Sequence, residues 1–301
     1  MNIIIGAGIS GLIWSYYYKD YCILSDQIGG QMNSHFDLGP RYLHNKSEAV
    51  TKFLDSLQIP IKIRTIRVGY IDDNGWVENP DLNFRQQYFM KSRGVKTLSG
   101  FDPTVLNTNI SEFSVCDIDF RELINKLFEQ VTQRLYSGRI EKIDLEEQLI
   151  VCDTGLKLKY DNLVSTIPLN IFCRVSGIKL NLEYTSMAYC LLSDNFFDLK
   201  QFDFVYDNRT TTSFHRMTKC KQGIVCDFLE NKKQEFINSN LEHFALPVEQ
   251  SIRVLKNSQI ISFDKDFCIS DKPNIKFIGR YGSWARHWKT ETVIEEAQKH
   301  G

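Results

Sequence analysis

Apolar residues run unbroken from Ile3 to Ile5, give way to Gly6-Ala7-Gly8-Ile9-Ser10-Gly11, and resume at Leu12, Ile13 and Trp14. A short continuous apolar run followed by a glycine turn and a second apolar stretch predicts a buried strand, a tight turn and a helix. Tyr21 to Leu24 reads as the next strand. Val50, Phe53, Leu54 and Leu57 recur at helical spacing behind Asn45-x-x-Glu48, which has the form of a cap. Ile59 to Ile66 and Val68 to Val77 read as two strands, the second interrupted at Asp72-Asp73-Asn74-Gly75 by a hairpin signal. Residues 79 to 113 are mixed, and Arg85 to Phe89 favour no element.

Further on, Asp119 and Glu122 cap a helix whose apolar face is Phe120, Leu123, Ile124, Leu127, Phe128 and Val131. Arg139–Asp144, Gln148–Cys152 and Gly155–Tyr160 alternate as a three-stranded meander. It leads into a strand at Asn162–Ser165 that Pro168 must end. Strand-like runs at Tyr184–Leu192, Phe202–Tyr206 and Ile224–Leu229 then surround a basic, acid-free segment within 208–226, of which 209–221 is the most basic part. A helix-like piece from Lys233 to Phe244 follows. Asn274 to Ile278 is a last strand, and Thr292, Val293, Ile294 and Ala297 suggest a closing helix. The class is α/β.

The glycine spacing gives the first strand its chemistry. In Gly6-x-Gly8-x-x-Gly11, Gly6 permits the tight turn, Gly8 lets backbone approach a pyrophosphate, and Gly11 lets the helix pack on the strand. Amides at Ile9 and Ser10 and the positive end of the helix then face the phosphates. The competing reading is an ordinary glycine-rich turn.

Composition narrows the class without changing it. The 301 residues suffice for one large domain or two interleaved ones. Lys and Arg number 36 against 37 Asp and Glu, which argues against a general nucleic-acid or anionic-membrane surface. The uncharged start, Met1 to Tyr18, lacks a basic leading region and reads as the cofactor unit rather than a signal or membrane span. Eight scattered cysteines with no C-x-x-C pair suggest free thiols and a reducing, cytoplasmic setting. No metal-ligand spacing is seen.

After the second strand comes Ser25-Asp26-Gln27-Ile28-Gly29-Gly30-Gln31-Met32. This run resembles the FAD-binding superfamily of amine oxidases, protoporphyrinogen oxidase and UDP-galactopyranose mutase. Gly39-Pro40-Arg41-Tyr42-Leu43-His44 resembles the mutase segment beside the flavin. The strand into Ser165-Thr166-x-Pro168, and Gly279-Arg280-Tyr281-Gly282-x-Trp284, resemble later segments of the same superfamily. The resemblance covers about half the chain, in the correct order. It implies a Rossmann-like FAD-binding domain with an interleaved α+β substrate domain. Residues 1–44, 111–170 and 256–301 would form the first, and 45–110 and 171–255 the second. It also implies FAD contacts at Gly6, Gly8, Ile9, Ser10, Gly11, Gly29, Gly30, Gln31, Met32, Gly39, Pro40, Arg41, Tyr42, Thr166, Gly279, Arg280 and Trp284, with Ile140 on the strand that lines the adenine. The usual ribose-binding Glu is missing, and Ser25 or Asp26 stands in its place.

Three residues are candidates for chemistry. Arg216 matches an arginine that follows a strand and reaches the flavin in the mutase, against a solvated strand position. Arg280, between glycines, suits an anion or flavin, against pairing with a local acid. His44 either donates a proton or fixes its loop. The reading taken is an FAD-dependent oxidoreductase that accepts a hydride from an amine-type or ring C–H small-molecule substrate. Redox-neutral mutase chemistry is the alternative. Processing of an amino-substituted nucleotide or nucleic acid, and a non-catalytic flavin-binding role, complete the set. Oligomeric state is not legible.

Overall fold

Strand β1 (Asn2–Gly8) enters helix α1 (Ile9–Tyr17) with no intervening loop, and β2 (Tyr21–Gly29) returns beside it, parallel. This is a computed structural model, and it describes residues 1–30, 42–44, 47–98, 101, 111–180, 182–260, 269, 271–283, 285 and 288–300. The chain continues through α2 (Glu48–Ser56), β3 (Lys62–Asp72), β4 (Gly75–Trp76), α3 (Leu82–Arg93) and β5 (Glu112–Asp117). Next come α4 (Phe120–Val131), β6 (Leu135–Ser137), β7 (Ile140–Asp144), β8 (Leu149–Cys152), β9 (Lys157–Lys159) and β10 (Asn162–Ser165). The remainder is α5 (Leu169–Ser176), β11 (Tyr184–Leu192), β12 (Phe204–Asp207), β13 (Phe214–Cys220), β14 (Gly223–Leu229), α6 (Lys233–Ser239), α7 (Val248–Ser251), β15 (Ile252–Ile260), β16 (Ile275–Phe277) and α8 (Thr290–His300).

Two large sheets organise these elements. The first is parallel, in the order β16-β10-β1-β2-β6. Ile4, Leu12, Ile13 and Trp14 pack on one side with Phe53, Leu54, Leu123, Leu127, Val293 and Ile294, all nearly inaccessible to solvent. Ile3 and Ile5 point to the other side, onto Ile143, Ile150, Leu158 and Phe172 from the meander and α5. A strand covered on both faces must be apolar at successive positions, which is why Ile3 to Ile5 do not alternate. The second sheet runs β15-β11-β14-β13-β12-β3-β4, with β5 also on β3. Here β11 to β14 alternate, and Ala188, Cys190, Val205, Met217, Cys226 and Phe228 fill a core with Phe236 of α6.

Several expectations change in detail. The two runs expected between Ile59 and Val77 merge into one long strand, β3 (Lys62–Asp72), with β4 after the hairpin, because β5 and β12 both pair along it. Arg85 to Phe89 lie in α3, begun by Asp81 accepting from the amide of Phe84 and closed by Gly94 in the left-handed region. Asn45 lies outside the described residues, and the cap of α2 is Ser47, which accepts from the amide of Val50. The Lys233–Phe244 helix is shorter, ending at Ser239. Helix α2, grouped from sequence with the substrate-side lobe, packs in the core of the parallel sheet. Strand β15 crosses residue 256 and lies wholly in the second sheet. Among the described residues the seven cysteines are free, and no helix is long and apolar enough to cross a membrane.

Candidate functional site

The C-terminal ends of β1, β10 and β16 converge where the order of the parallel sheet reverses, β10 lying on one side of β1 and β2 on the other. Such a switch point leaves a crevice beyond the strand ends. Its floor is built from glycines held against each other. Gly6 takes φ +98°, a backbone state costly for any residue with a Cβ, and a methyl there would lie 2.7 Å from Thr166 Oγ1. A methyl on Gly11 would lie 2.0 Å from the carbonyl oxygen of Gly6, so the helix can approach the turn only without one. Thr166 Oγ1 holds the turn from β10, donating to the carbonyls of Ile5 and Gly6, each at 3.0 Å.

Gly8 differs from its neighbours. Its backbone is ordinary and extended, and the nearest atom to a Cβ would be the Cα of Gly30, 4.0 Å away. No other atom of the described residues comes within 4 Å of that position. Gly8 is also the cap residue of α1, yet no side chain caps the helix and no acid stands in its first turn. Amides that most helices satisfy with a Ser or Asp oxygen are left for a ligand. Gly29 pairs with Gly8 at the end of β2, and Gly30 faces it across the gap. On the far side Gly279 approaches Ser10: a methyl there would lie 2.7 Å from Ser10 Oγ. Gly279 itself is anchored by Ser283, whose hydroxyl and amide both donate to its carbonyl at 2.9 Å. The result is a backbone-lined cradle at a positive helix end, with no carboxylate in the first turn of that helix.

The remaining cofactor candidates distribute as follows. Ile9 is half-buried at the start of α1 beside the cradle. Ser25 is half-buried on β2, its hydroxyl donating to the carbonyl of Gln27 at 2.8 Å, while Asp26 is exposed. Ile140 is half-buried at the start of β7 against the core beneath the sheet. Gln31, Met32, Gly39, Pro40, Arg41 and Trp284 lie outside the described residues. So do Arg286 and His287.

Leu43 ties the next part of the site to the second sheet. It exchanges two backbone hydrogen bonds with Cys116 of β5, at 3.0 and 2.9 Å, and so fixes both neighbours. Tyr42 and His44 pack edge to face, 5.0 Å between ring centroids, and His44 stacks on Phe113. The amide of His44 donates to Glu291 of α8 at 3.2 Å. Although His44 keeps an exposed edge, the packing around it, then Lys289 and Arg280, lower its pKa to about 4. The imidazole is therefore neutral near pH 7, an acceptor or a weak donor rather than a cation. Arg280 is exposed, close enough to His44 to act on its titration.

Arg216 is neither solvated nor free. Its guanidinium bonds the carboxylate of Asp227, directly opposite on β14, and the side chains are 28% and 2% exposed. A β-bulge falls at His215, the register shifting between Phe214 and Arg216, and such bulges re-aim neighbouring side chains. His215 is buried and lies edge-on to Tyr88 of α3. Tyr88 meets Tyr206 at 5.0 Å, and Tyr206 stacks on Tyr70. Burial raises the phenols of Tyr42, Tyr70, Tyr88 and Tyr206, so all four stay protonated. Tyr42 feels the charge of Arg216, which links the His44 end of the site to this wall. Arg280 and His44 thus lie near each other beside the start of α8, and Arg216 lies at the tyrosine wall. Sequence reasoning missed Asp227, Tyr88 and Tyr206. An Asp within the apolar run Ile224 to Leu229 was the available signal, since a buried carboxylate demands a partner.

A switch-point crevice, a glycine cradle at an uncapped helix start and a second sheet define a Rossmann-type α/β fold with an interleaved lobe. Comparison finds the same fold in several solved structures. Reduced UDP-galactopyranose mutase matches with a TM-score of 0.71 at 14% identity, over 98% of this chain and 93% of the other. A CLA-producing fatty acid isomerase from P. acnes gives 0.63 at 14%, over 99% and 98%. Putrescine oxidase redesigned in its cofactor binding gives 0.57 at 10%, over 99% and 98%. No family model and no curated protein matches the chain.

Proposed function

We propose that this chain is an FAD-dependent oxidoreductase acting on an amine-type or ring C–H small molecule. The observation that carries this reading is the vacant side-chain position at Gly8, opposite Gly30 and at the uncapped start of α1. Gly6, Gly8, Ile9, Ser10, Gly11, Gly29, Gly30 and Gly279 would hold the pyrophosphate and its neighbourhood, with Ser25 or Asp26 toward the ribose and Ile140 toward the adenine. When bound, FAD supplies a two-electron acceptor for a substrate C–H bond. Arg280 places positive charge on the cofactor side, where it would favour the reduced, anionic form. His44, neutral and braced by Phe113, Tyr42 and Glu291, orients its loop and can accept a proton. Tyr206, Tyr88 and Arg216 would line the substrate space and exclude water from it.

Mutase-type chemistry is the second reading, favoured by the match to UDP-galactopyranose mutase along nearly the whole chain. Against it, the strand arginine that would meet a diphosphate is already paired with Asp227. Purification followed by heat release tests the first part: a yellow cofactor of FAD mass is expected. A colourless protein that refuses FAD but binds NAD would overturn it. Anaerobic screening tests the second part, since an amine or ring C–H substrate should bleach the flavin without added reductant. Turnover of UDP-galactopyranose only after chemical reduction would reverse the order of the two readings.

A further inference from the structure

The register of the second sheet places six residues in one transverse row. Tyr70 of β3 lies opposite Tyr206 of β12, Tyr206 opposite Arg216, Arg216 opposite Asp227, Asp227 opposite Tyr189 of β11, and Tyr189 opposite Arg253 of β15. Directly opposed residues share a face, so the row crosses six strands on one side of the sheet, roughly 24 Å at about 4.8 Å per strand. The opposite side is the apolar core of Val205, Met217, Cys226 and Cys190. On the row's own side, Val68, Phe204, Thr218, Val225 and Leu191 form the adjacent row, also nearly all apolar. Charge is therefore confined to one line.

Within that line Arg216 shows part of its side chain to solvent while Asp227 stands behind it, almost wholly covered. An incoming ligand meets the guanidinium, but one whose charge is matched at contact distance. Arg216 Nε and Thr218 Oγ1, in the neighbouring row, are buried with no hydrogen-bond partner among the described residues. Arg253, the other cation of the row, lies beyond Tyr189 on β15.

We infer that Asp227 is a specificity-determining residue: by neutralising Arg216 from behind, it fits the tyrosine-lined wall to a ring-bearing substrate with at most one negative charge, and turns away diphosphates. The inference rests on the flavoenzyme reading and names its substrate class. Removing the carboxylate while keeping the shape, as in Asp227→Asn, unmasks the guanidinium. A phosphate oxygen can then take the guanidinium hydrogen bond that Asp227 now accepts.

The test uses UDP as the probe, titrated by calorimetry into the purified full chain, with visible flavin absorbance recorded for each variant. Wild type should bind UDP at millimolar strength or weaker. Asp227→Asn should tighten UDP by about tenfold or more, the scale expected when a desolvated charge pair becomes available to a ligand. Adding Arg216→Met to that variant should abolish the gain, and Asp227→Glu, which keeps the charge, should show none. Flavin content should be equal in all. Equal UDP affinity in wild type and Asp227→Asn, or a gain that survives Arg216→Met, overturns the inference. Should Asp227→Asn not fold, wild type and Asp227→Glu decide it: submillimolar UDP binding by either is refutation, and weak binding by both is support. Absence of flavin from the wild type would instead remove the flavoenzyme reading, while the UDP comparison would still be made.

Discussion

Replacing Gly8 by valine separates a cofactor cradle from a merely tight turn. Every other close glycine here is required by the fold itself: a methyl on Gly11 would overlap the Gly6 carbonyl at 2.0 Å, and one on Gly6 would crowd Thr166. Gly8 has an extended backbone, and its Cβ would meet nothing nearer than 4.0 Å. Valine extends roughly 1.5 Å beyond that Cβ, into the space between Gly8 and Gly30. Folding of Gly8→Val without cofactor should shift by no more than about 1 kcal/mol, partly offset by the reduced freedom of the unfolded chain. Gly11→Ala, by contrast, should cost about 3 kcal/mol or more, the upper range for overpacking against backbone. FAD at a hundredfold its dissociation constant stabilises a folded protein by about 2.7 kcal/mol. For 301 residues that is a rise in melting temperature of roughly 4 °C. Thermal melts with and without FAD, beside flavin content after purification, read both effects. Wild type should melt higher with FAD, Gly8→Val should melt like apo wild type and ignore FAD, and Gly11→Ala should melt low throughout. A Gly8→Val protein that retains stoichiometric FAD would refute the cradle.

Arg216→Ala should leave FAD content near normal and slow substrate-dependent flavin reduction. It strands Asp227 in the sheet, so denaturant unfolding should show a loss of about 3–5 kcal/mol, whereas a change within 0.5 kcal/mol, roughly the surface range, would make the pair unimportant. Arg280→Ala, at an exposed position, should barely alter stability but loosen FAD or shift the flavin potential, read by redox titration. Thr166→Val removes the hydroxyl that serves the Ile5 and Gly6 carbonyls and should cost about 1–2 kcal/mol in denaturant unfolding while weakening FAD. His44 has a folded pKa of about 4 against an unfolded 6.5. Between those values the unfolded chain binds the extra proton, so stability falls as pH drops from 6.5 toward 4, and His44→Asn should flatten that slope. Imidazole NMR should find His44 neutral at pH 5.5; titration near 6.5 would contradict the packing described.

The cradle was legible because three independent signals fall within twelve residues: an unbroken apolar run, glycines at exact spacing and a resumed apolar stretch. The helix α4 and the β7–β9 meander were legible for similar reasons, local pattern and tertiary role agreeing. Helix α3 was not. Its buried residues are Phe84, Tyr88, Phe89 and Ser92, too few and too polar between them to show a stripe, and it is held by what it covers on β13 and β14. Asn45 looked like a cap because Glu48 follows at the right distance; Ser47, two residues on, is the one whose hydroxyl reaches an amide. The transverse row was beyond reach because lateral opposition depends on register. Six strands from separate stretches must be aligned to the residue before Tyr70 and Arg253 share a line. A one-residue slip in any of them would send its member to the opposite face.

The position of Gly279 along the chain bears on when the protein can acquire a cofactor. Ser10 gains its facing glycine only after β16 has emerged, and β16 docks on β10 rather than on its neighbours in sequence. The stretch from β10 to β16, about 110 residues at about 5–20 residues per second, takes on the order of ten seconds to synthesise. During that interval the edge of β10 that β16 will occupy stays open, and the parallel sheet lacks a strand. The nascent chain therefore carries an unpaired, largely apolar strand edge while β11 to β15 are made, which is where chaperone contact would act on yield.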